Sequence, residues 1–373
     1  MNRLDIIRET ARDPHSYAKK WKEKTGGKVV GYFCTYTPEE IVHASGSLPF
    51  RIFGSVDNIS LADTHLQAYS CSLVRGGLEE ALKGNLSFLD GTVFPHTCDS
   101  IQRLSDIWRL NAGFPFHLDV VLPVKLDTAS ARDYLGEVLG KFRRDLEQSL
   151  GKSISDSQLG DSVKLYNRMR GLMRELYLLR SGNPGILTGR DVYWVIKASM
   201  VMDRAEFTEN LEKLLEELKA STPQSAGKAS RRVFLAGGIC NHPDFYTLIE
   251  DAGGSVVWDE LCTGTRSFEG VLDETVPPLE ALTKRYSERV VCPAKYNGNT
   301  SRADNLLRLV REKEAAGVVF VYLKFCDPQS FDYPYMKEAL DRAGIPSMLL
   351  EVEEQPQAEG QLRTRFETFM DML

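Results

Sequence analysis

Short apolar runs alternate with stretches of helical period along this chain, and their order predicts the architecture. Residues 1–25 read as an amphipathic helix closed by Gly26-Gly27. Residues 28–34 (KVVGYFC) form a β-rich run, after which Thr37-Pro38-Glu39-Glu40 opens a helix with acids in its first turn. A second strand is expected at 49–53, a helix from about Cys71, a third strand at 91–94 and a fourth at 116–122. From about 127 to 220 the period becomes helical, carried by Leu135, Leu139, Phe142 and Leu146, then by Leu165, Met169, Met173 and Leu176, and then by Leu211, Leu214 and Leu218. Residues 221–230 (STPQSAGKAS) have the composition of a linker. Beyond them the first rhythm resumes, with strands expected at 232–236, 255–258, 289–291, 318–323 and 347–352 and helices between. Strands alternating with helices predict an α/β fold, with two parallel-sheet domains of Rossmann or flavodoxin type joined by a helical segment. The expected boundaries are 1–126, 127–229 and 230–373.

Composition narrows the function classes. The 373 residues carry a net charge of −6, with 42% hydrophobic and 26% charged positions. Those fractions describe a globular protein, and the acidic balance argues against a general nucleic-acid binder. The longest apolar runs are strand-sized, well short of the ~20 residues of a membrane span. The first residues mix acids and bases with no apolar core of a secretory signal, so the cytoplasm is the expected location.

Seven cysteines then need a role, because a reducing compartment disfavours disulfides and seven is odd. They are Cys34, Cys71, Cys98, Cys240, Cys262, Cys292 and Cys326, and none is paired at the close spacing of zinc ribbons or ferredoxin runs. Six of them, all but Cys71, come just after an expected strand, and Cys71 opens a helix. Ligands of open α/β sheets bind at the carboxyl ends of strands, whereas cysteines used only for packing would scatter through element interiors. A sulfur-only, widely spaced set drawn from two domains favours an iron–sulfur cluster in the cleft between them over a zinc site.

The surrounding residues also carry a family resemblance. Gly31-Tyr32-Phe33-Cys34-Thr35-Tyr36-Thr37-Pro38-Glu39-Glu40-Ile41, with Ala44-Ser45-Gly46 and Pro49, resembles the N-terminal signature of the 2-hydroxyacyl-CoA dehydratase family. That family includes the cluster-bearing subunits of benzoyl-CoA reductase and the double-cubane cluster proteins. Ser70-Cys71-Ser72, His96-Thr97-Cys98-Asp99, Leu261-Cys262-Thr263-Gly264-Thr265-Arg266, Lys324-Phe325-Cys326-Asp327 and Gly360-Gln361-Leu362-Arg363-Thr364-Arg365-Phe366 follow in the family's order.

The resemblance implies a low-potential electron-transfer enzyme. In the family, cysteines at positions like Cys71, Cys98 and Cys326 hold a 4Fe–4S cluster that acts on an acyl-CoA through a ketyl radical. Its electrons come from a separate ATP-dependent iron–sulfur activator, in keeping with the lack of a nucleotide-binding motif in this sequence. Six ligands at Cys34, Cys71, Cys98, Cys262, Cys292 and Cys326 match the double-cubane branch, homodimers that reduce small molecules at an 8Fe–9S cluster. That branch is the leading expectation. A heterodimeric acyl-CoA dehydratase subunit and a non-catalytic partner subunit are the alternatives. Cys240 is left as a spare. His96 is a candidate proton donor, with a loop-stabilising role as its rival; Arg75 and Arg266 are candidates for binding CoA phosphates, Lys324 and Asp327 for tuning the site, and His43 is expected to be structural.

Overall fold

A computed structural model describes residues 2–54, 58–220, 231–242, 244–289, 292–296, 298–353 and 359–373. The expected linker at 221–230 lies outside them. Eight strands form two four-stranded, wholly parallel sheets: β1 (Val29–Tyr32), β2 (Leu48–Arg51), β3 (Gly91–Pro95) and β4 (His117–Val120) in the order β2-β1-β3-β4, and β5 (Arg231–Gly237), β6 (Gly254–Glu260), β7 (Gly317–Leu323) and β8 (Ser347–Val352) in the order β6-β5-β7-β8. This is the expected α/β architecture of two domains. The two orders are the same pattern, and each reverses direction at its central pair, β1/β3 and β5/β7.

Both faces of the sheets are covered, as parallel sheets require. Alternation along β1 sends Val29 and then Phe33 into one buried cluster, and Val30 and Tyr32 into another. The first cluster runs continuously from Phe33 and Phe94 of the first sheet to Val233 and Phe320 of the second. The second is built where the helix Ala129–Leu150 meets the helix Pro278–Glu288, with Leu135, Leu139, Leu282 and Tyr286 buried together.

The helix Asp156–Gly182 holds the two sheets in register. Ser155 and Gln158 close its start as a capping box. Its first half reaches the helix Glu39–Ala44, where Ser162 Oγ donates to the Glu40 carbonyl at 2.9 Å and Arg170 pairs with the buried Glu40 carboxylate. Its second half reaches the other sheet: Tyr177 donates to Asp259 Oδ2 at 2.6 Å and Arg180 pairs with Glu250 at 3.0 Å.

Two local expectations change. The first 25 residues make two helices, Arg3–Arg12 and Pro14–Thr25, because Asp13 breaks the run and caps the second by accepting from the Ser16 N–H at 3.1 Å, with Pro14 in its first turn. The strand expected at 289–291 is not borne out at Arg289, which caps the helix Pro278–Glu288; residues 290 and 291 lie outside the described residues. No helix among the described residues is long and apolar enough to cross a membrane.

Candidate functional site

Six of the seven cysteines, carried by both halves of the chain, each lie within electrostatic reach of another of the six. Cys98 and Cys326 link β3 and β7 to the helices Asp99–Asn111 and Asp327–Arg342, and each is the residue that caps its helix. Cys71 caps the helix Ser72–Leu82. Helix N-termini expose N–H groups and positive partial charge, which stabilise a thiolate. The backbone N–H of Gln329 donates to the Cys326 carbonyl at 3.1 Å and that of Gln102 to the Cys98 carbonyl at 3.0 Å, so each cysteine begins its helix. Phe325 takes a left-handed backbone, φ 65°, uncommon for a residue with a side chain, in the turn that delivers Cys326.

Cys262 sits in a loop built by its own neighbours. Asp259 Oδ1 accepts from the N–H groups of Leu261 at 3.1 Å and Thr265 at 2.8 Å, and Thr265 Oγ1 donates to the Asp259 carbonyl at 2.7 Å. A Cβ at Gly264 would lie 2.0 Å from Asp259 Oδ1, so the loop closes only with glycine there. The turn returns Arg266 to donate from Nη1 to the Cys262 sulfur at 3.4 Å.

Cys34 is held from the other half of the chain. Tyr286 donates to the Thr37 carbonyl at 2.7 Å, Arg289 donates to the Thr35 carbonyl at 2.6 Å, and the Arg289 guanidinium lies 4.9 Å from the centre of the Tyr36 ring. The stretch that carries the N-terminal signature is thus fastened to the segment that bears Cys292.

Six thiols lie within electrostatic reach of one another. Burial, followed by the Cys71 and Cys262 thiols, pushes Cys326 up to about 12. Burial and the Cys326 and Cys34 thiols raise Cys98 to about 12, against the Ile101 and Ser100 N–H groups. Burial and the Cys262 and Cys34 thiols raise Cys292 to about 11, against the Arg266 charge. The links form one connected set: Cys326 with Cys71, Cys98 and Cys262, Cys98 with Cys34, and Cys292 with Cys34 and Cys262. Arg266, Arg289 and Lys295 face Cys34, Cys262 and Cys292. The Cys240 thiol is directed to the His242 carbonyl at 3.9 Å, and Tyr246 is among its electrostatic neighbours.

An open cleft of about 390 Å³ has Cys98 in its lining. Thr97, Cys98 and Asp99 form its wall from the first half of the chain; Lys295, Arg302, Asp327, Asp332, Phe331 and Tyr335 form it from the second. Lys295 belongs to both places, since it lines the cleft, donates to the Pro123 carbonyl at 3.0 Å and faces the thiols of Cys292, Cys34 and Cys98.

The other candidates are placed as follows. His96 Nε2 hydrogen-bonds Asp119 Oδ1 at 2.9 Å, an oxygen also approached by Ser105 and His117, and His96 is not part of the cleft lining. His43 Nδ1 meets Ser162 Oγ at 3.0 Å on the helix Asp156–Gly182. Arg75 pairs with Asp63 at 2.7 Å and Lys324 with Glu353 at 2.9 Å. Arg266 bonds the Cys262 sulfur, and Asp327 lines the cleft. Sequence reasoning missed Lys295, Arg289, Glu260 and Arg302. The Cys-Pro-Ala-Lys run after position 291 was the one available signal, for Lys295.

The family described as 2-hydroxyglutaryl-CoA dehydratase, D-component, matches residues 34–373. The chain belongs to that family. It is 30% identical over 367 residues to the (R)-phenyllactyl-CoA dehydratase beta subunit of Clostridium sporogenes, covering 98% of this chain and 97% of that one. It is 30% identical over 366 residues to one of the benzoyl-CoA reductase subunits of Thauera aromatica, covering 95% and 94%. It is 27% identical over 380 residues to the (R)-2-hydroxyglutaryl-CoA dehydratase beta subunit of Acidaminococcus fermentans, covering 99% and 98%. Members of the family are components of acyl-CoA dehydratase and benzoyl-CoA reductase systems, so the chain is an enzyme component of that kind.

The donor set fits a polynuclear iron–sulfur cluster. Among the described residues, no group of three or more His, Cys, Asp or Glu side chains converges as a single metal ion needs. A cluster instead takes each thiolate at a separate iron, so sulfurs that face a common region suffice. Cys71, Cys98 and Cys326 each stand at a helix N-terminus, whose positive end suits thiolate ligands of such a centre.

Proposed function

We propose that this chain is an iron–sulfur reductase component that holds an 8Fe–9S double cubane on Cys34, Cys71, Cys98, Cys262, Cys292 and Cys326 and reduces a small molecule in the adjoining cleft. The observation that supports this reading is the linking of six thiols, drawn from both halves of the chain, into one connected set. When bound, such a cluster supplies one-electron reducing power that no side chain possesses. The chain's own residues do the rest. Arg266, Arg289 and Lys295 offset the charge of the thiolates at Cys34, Cys262 and Cys292, and helix N-termini do so at Cys71, Cys98 and Cys326. Lys295 and Arg302 in the cleft wall orient a substrate bearing negative charge, with Phe331 and Tyr335 supplying apolar surface at the rim. A separate ATP-dependent iron–sulfur activator provides the electrons, and the chain works as a homodimer.

A second reading is favoured by the subunit names of the relatives, which this chain matches over nearly their whole length. In it the chain pairs with a related chain, carries a 4Fe–4S cluster on Cys71, Cys98 and Cys326, and acts on an acyl-CoA. Anaerobic purification followed by iron and sulfide analysis separates the two: about eight irons per chain support the double cubane and about four the single cubane. A colourless protein that cannot be reconstituted with iron and sulfide overturns both.

A further inference from the structure

Glu260, the last residue of β6, is 1% exposed. Its Oε1 meets two arginines, Arg302 Nη2 at 3.0 Å and Arg266 Nη2 at 3.5 Å, while its Oε2 has no hydrogen-bond partner among the described residues. Each arginine leads to a cysteine. Arg266 donates to Cys262 Sγ from Nη1 at 3.4 Å. Arg302 donates to Gln329 Oε1 at 3.3 Å, and the backbone N–H of Gln329 donates to the Cys326 carbonyl at 3.1 Å. The other end of Arg302 pairs with Asp332 at 2.9 Å, and both residues stand in the cleft wall. One carboxylate is therefore the hub of a polar chain that runs from the cleft to the Cys262 thiol and to the backbone of Cys326.

A buried charge is costly to keep, and its effect on nearby charges is large because the surroundings screen it poorly. Arg266 beside Cys262 favours added negative charge on whatever the thiolates hold. Glu260 offsets that pull from behind the guanidinium while fixing its direction. We infer that Glu260 is a positioning residue that lowers the reduction potential of the centre held by Cys262 and Cys326, and that Arg302 carries the charge of Asp332 in the cleft wall to that centre. This rests on the proposed iron–sulfur reading.

The test compares wild type, Glu260→Gln and Asp332→Asn, purified anaerobically, by iron and sulfide content and by optical redox titration. Iron content is expected to stay at the wild-type level. At a fixed potential the ratio of reduced to oxidised centre rises on the order of tenfold in Glu260→Gln, equal to 59 mV for a one-electron couple. The rise is smaller in Asp332→Asn, whose side chain is 32% exposed and more strongly screened. Asp332→Asn also carries the test if the buried substitution prevents folding. Unchanged ratios at wild-type iron content overturn the inference and leave the iron–sulfur reading standing. A wild-type protein that takes up no iron and sulfide overturns that reading and the inference with it.

Discussion

Cys240 and Cys326 look alike on paper, each a few residues beyond a strand, yet their thiols meet different surroundings. Cys326 faces Cys71 and Cys262, whereas the Cys240 thiol points to the His242 carbonyl inside the apolar core. Replacing Cys326 by Ala is expected to lower the iron content of the anaerobically purified protein. Cys240→Ala is expected to keep the iron and to cost about 1 kcal/mol in denaturant unfolding, as a small cavity does. Asp119 supports a prediction about pH. Burial raises its carboxyl, but hydrogen bonds from His117, Ser105 and His96 outweigh this and hold it well below its ordinary 3.8. A depressed carboxyl contributes stability above its unfolded value, and that contribution disappears as the pH falls through the folded one. Asp119→Asn should therefore destabilise the protein at neutral pH, with a difference from wild type that shrinks as the pH falls below 3.8 toward the lower folded value. A constant difference across an acid titration of thermal stability would contradict this.

Among elements, the loop after β6 shows how little of a site lies in its most conspicuous letters. Thr263, Gly264, Thr265 and Arg266 are readable as a motif, but the shape of the loop comes from Asp259, one residue before the end of the strand. Gly264→Ala is expected to force Asp259 aside, cost about 1–3 kcal/mol and lower iron retention, measured by unfolding and metal analysis on the same samples. The sequence predicted β7 and the helices around it well, because a seven-residue apolar run with glycine at its start has few other solutions. It failed at Asp13, where a local cap and a proline interrupt an otherwise helical pattern, and at Arg289, where a helix cap resembled the start of a strand.

At the scale of the molecule, the helix Asp156–Gly182 and the shared core make the two sheets one mechanical unit. A centre held by thiols from both halves adds a further tie, so removing it should loosen the whole chain. Metal removal with a chelator under anaerobic conditions is expected to lower the thermal unfolding midpoint and to increase proteolysis of both halves. Loss of protection in one half alone would argue that the ligands come from that half only.

The α/β class, the two-sheet plan and the place of five cysteines, Cys34, Cys98, Cys240, Cys262 and Cys326, just beyond strands were all decided by the sequence itself. Apolar periodicity and turn residues are local properties, and the rule that ligands bind at carboxyl ends of strands needs nothing more. The convergence of those cysteines was decided only by the tertiary structure. Arg289 reaches the Thr35 carbonyl across 254 positions, and Tyr286 reaches that of Thr37 across 249. Nor could spacing along the chain show that Cys240 turns into the core, or that Lys295 and Glu260 stand among the thiols. Electrostatics depends on distance through space, and the packing of one sheet against the other sets that distance.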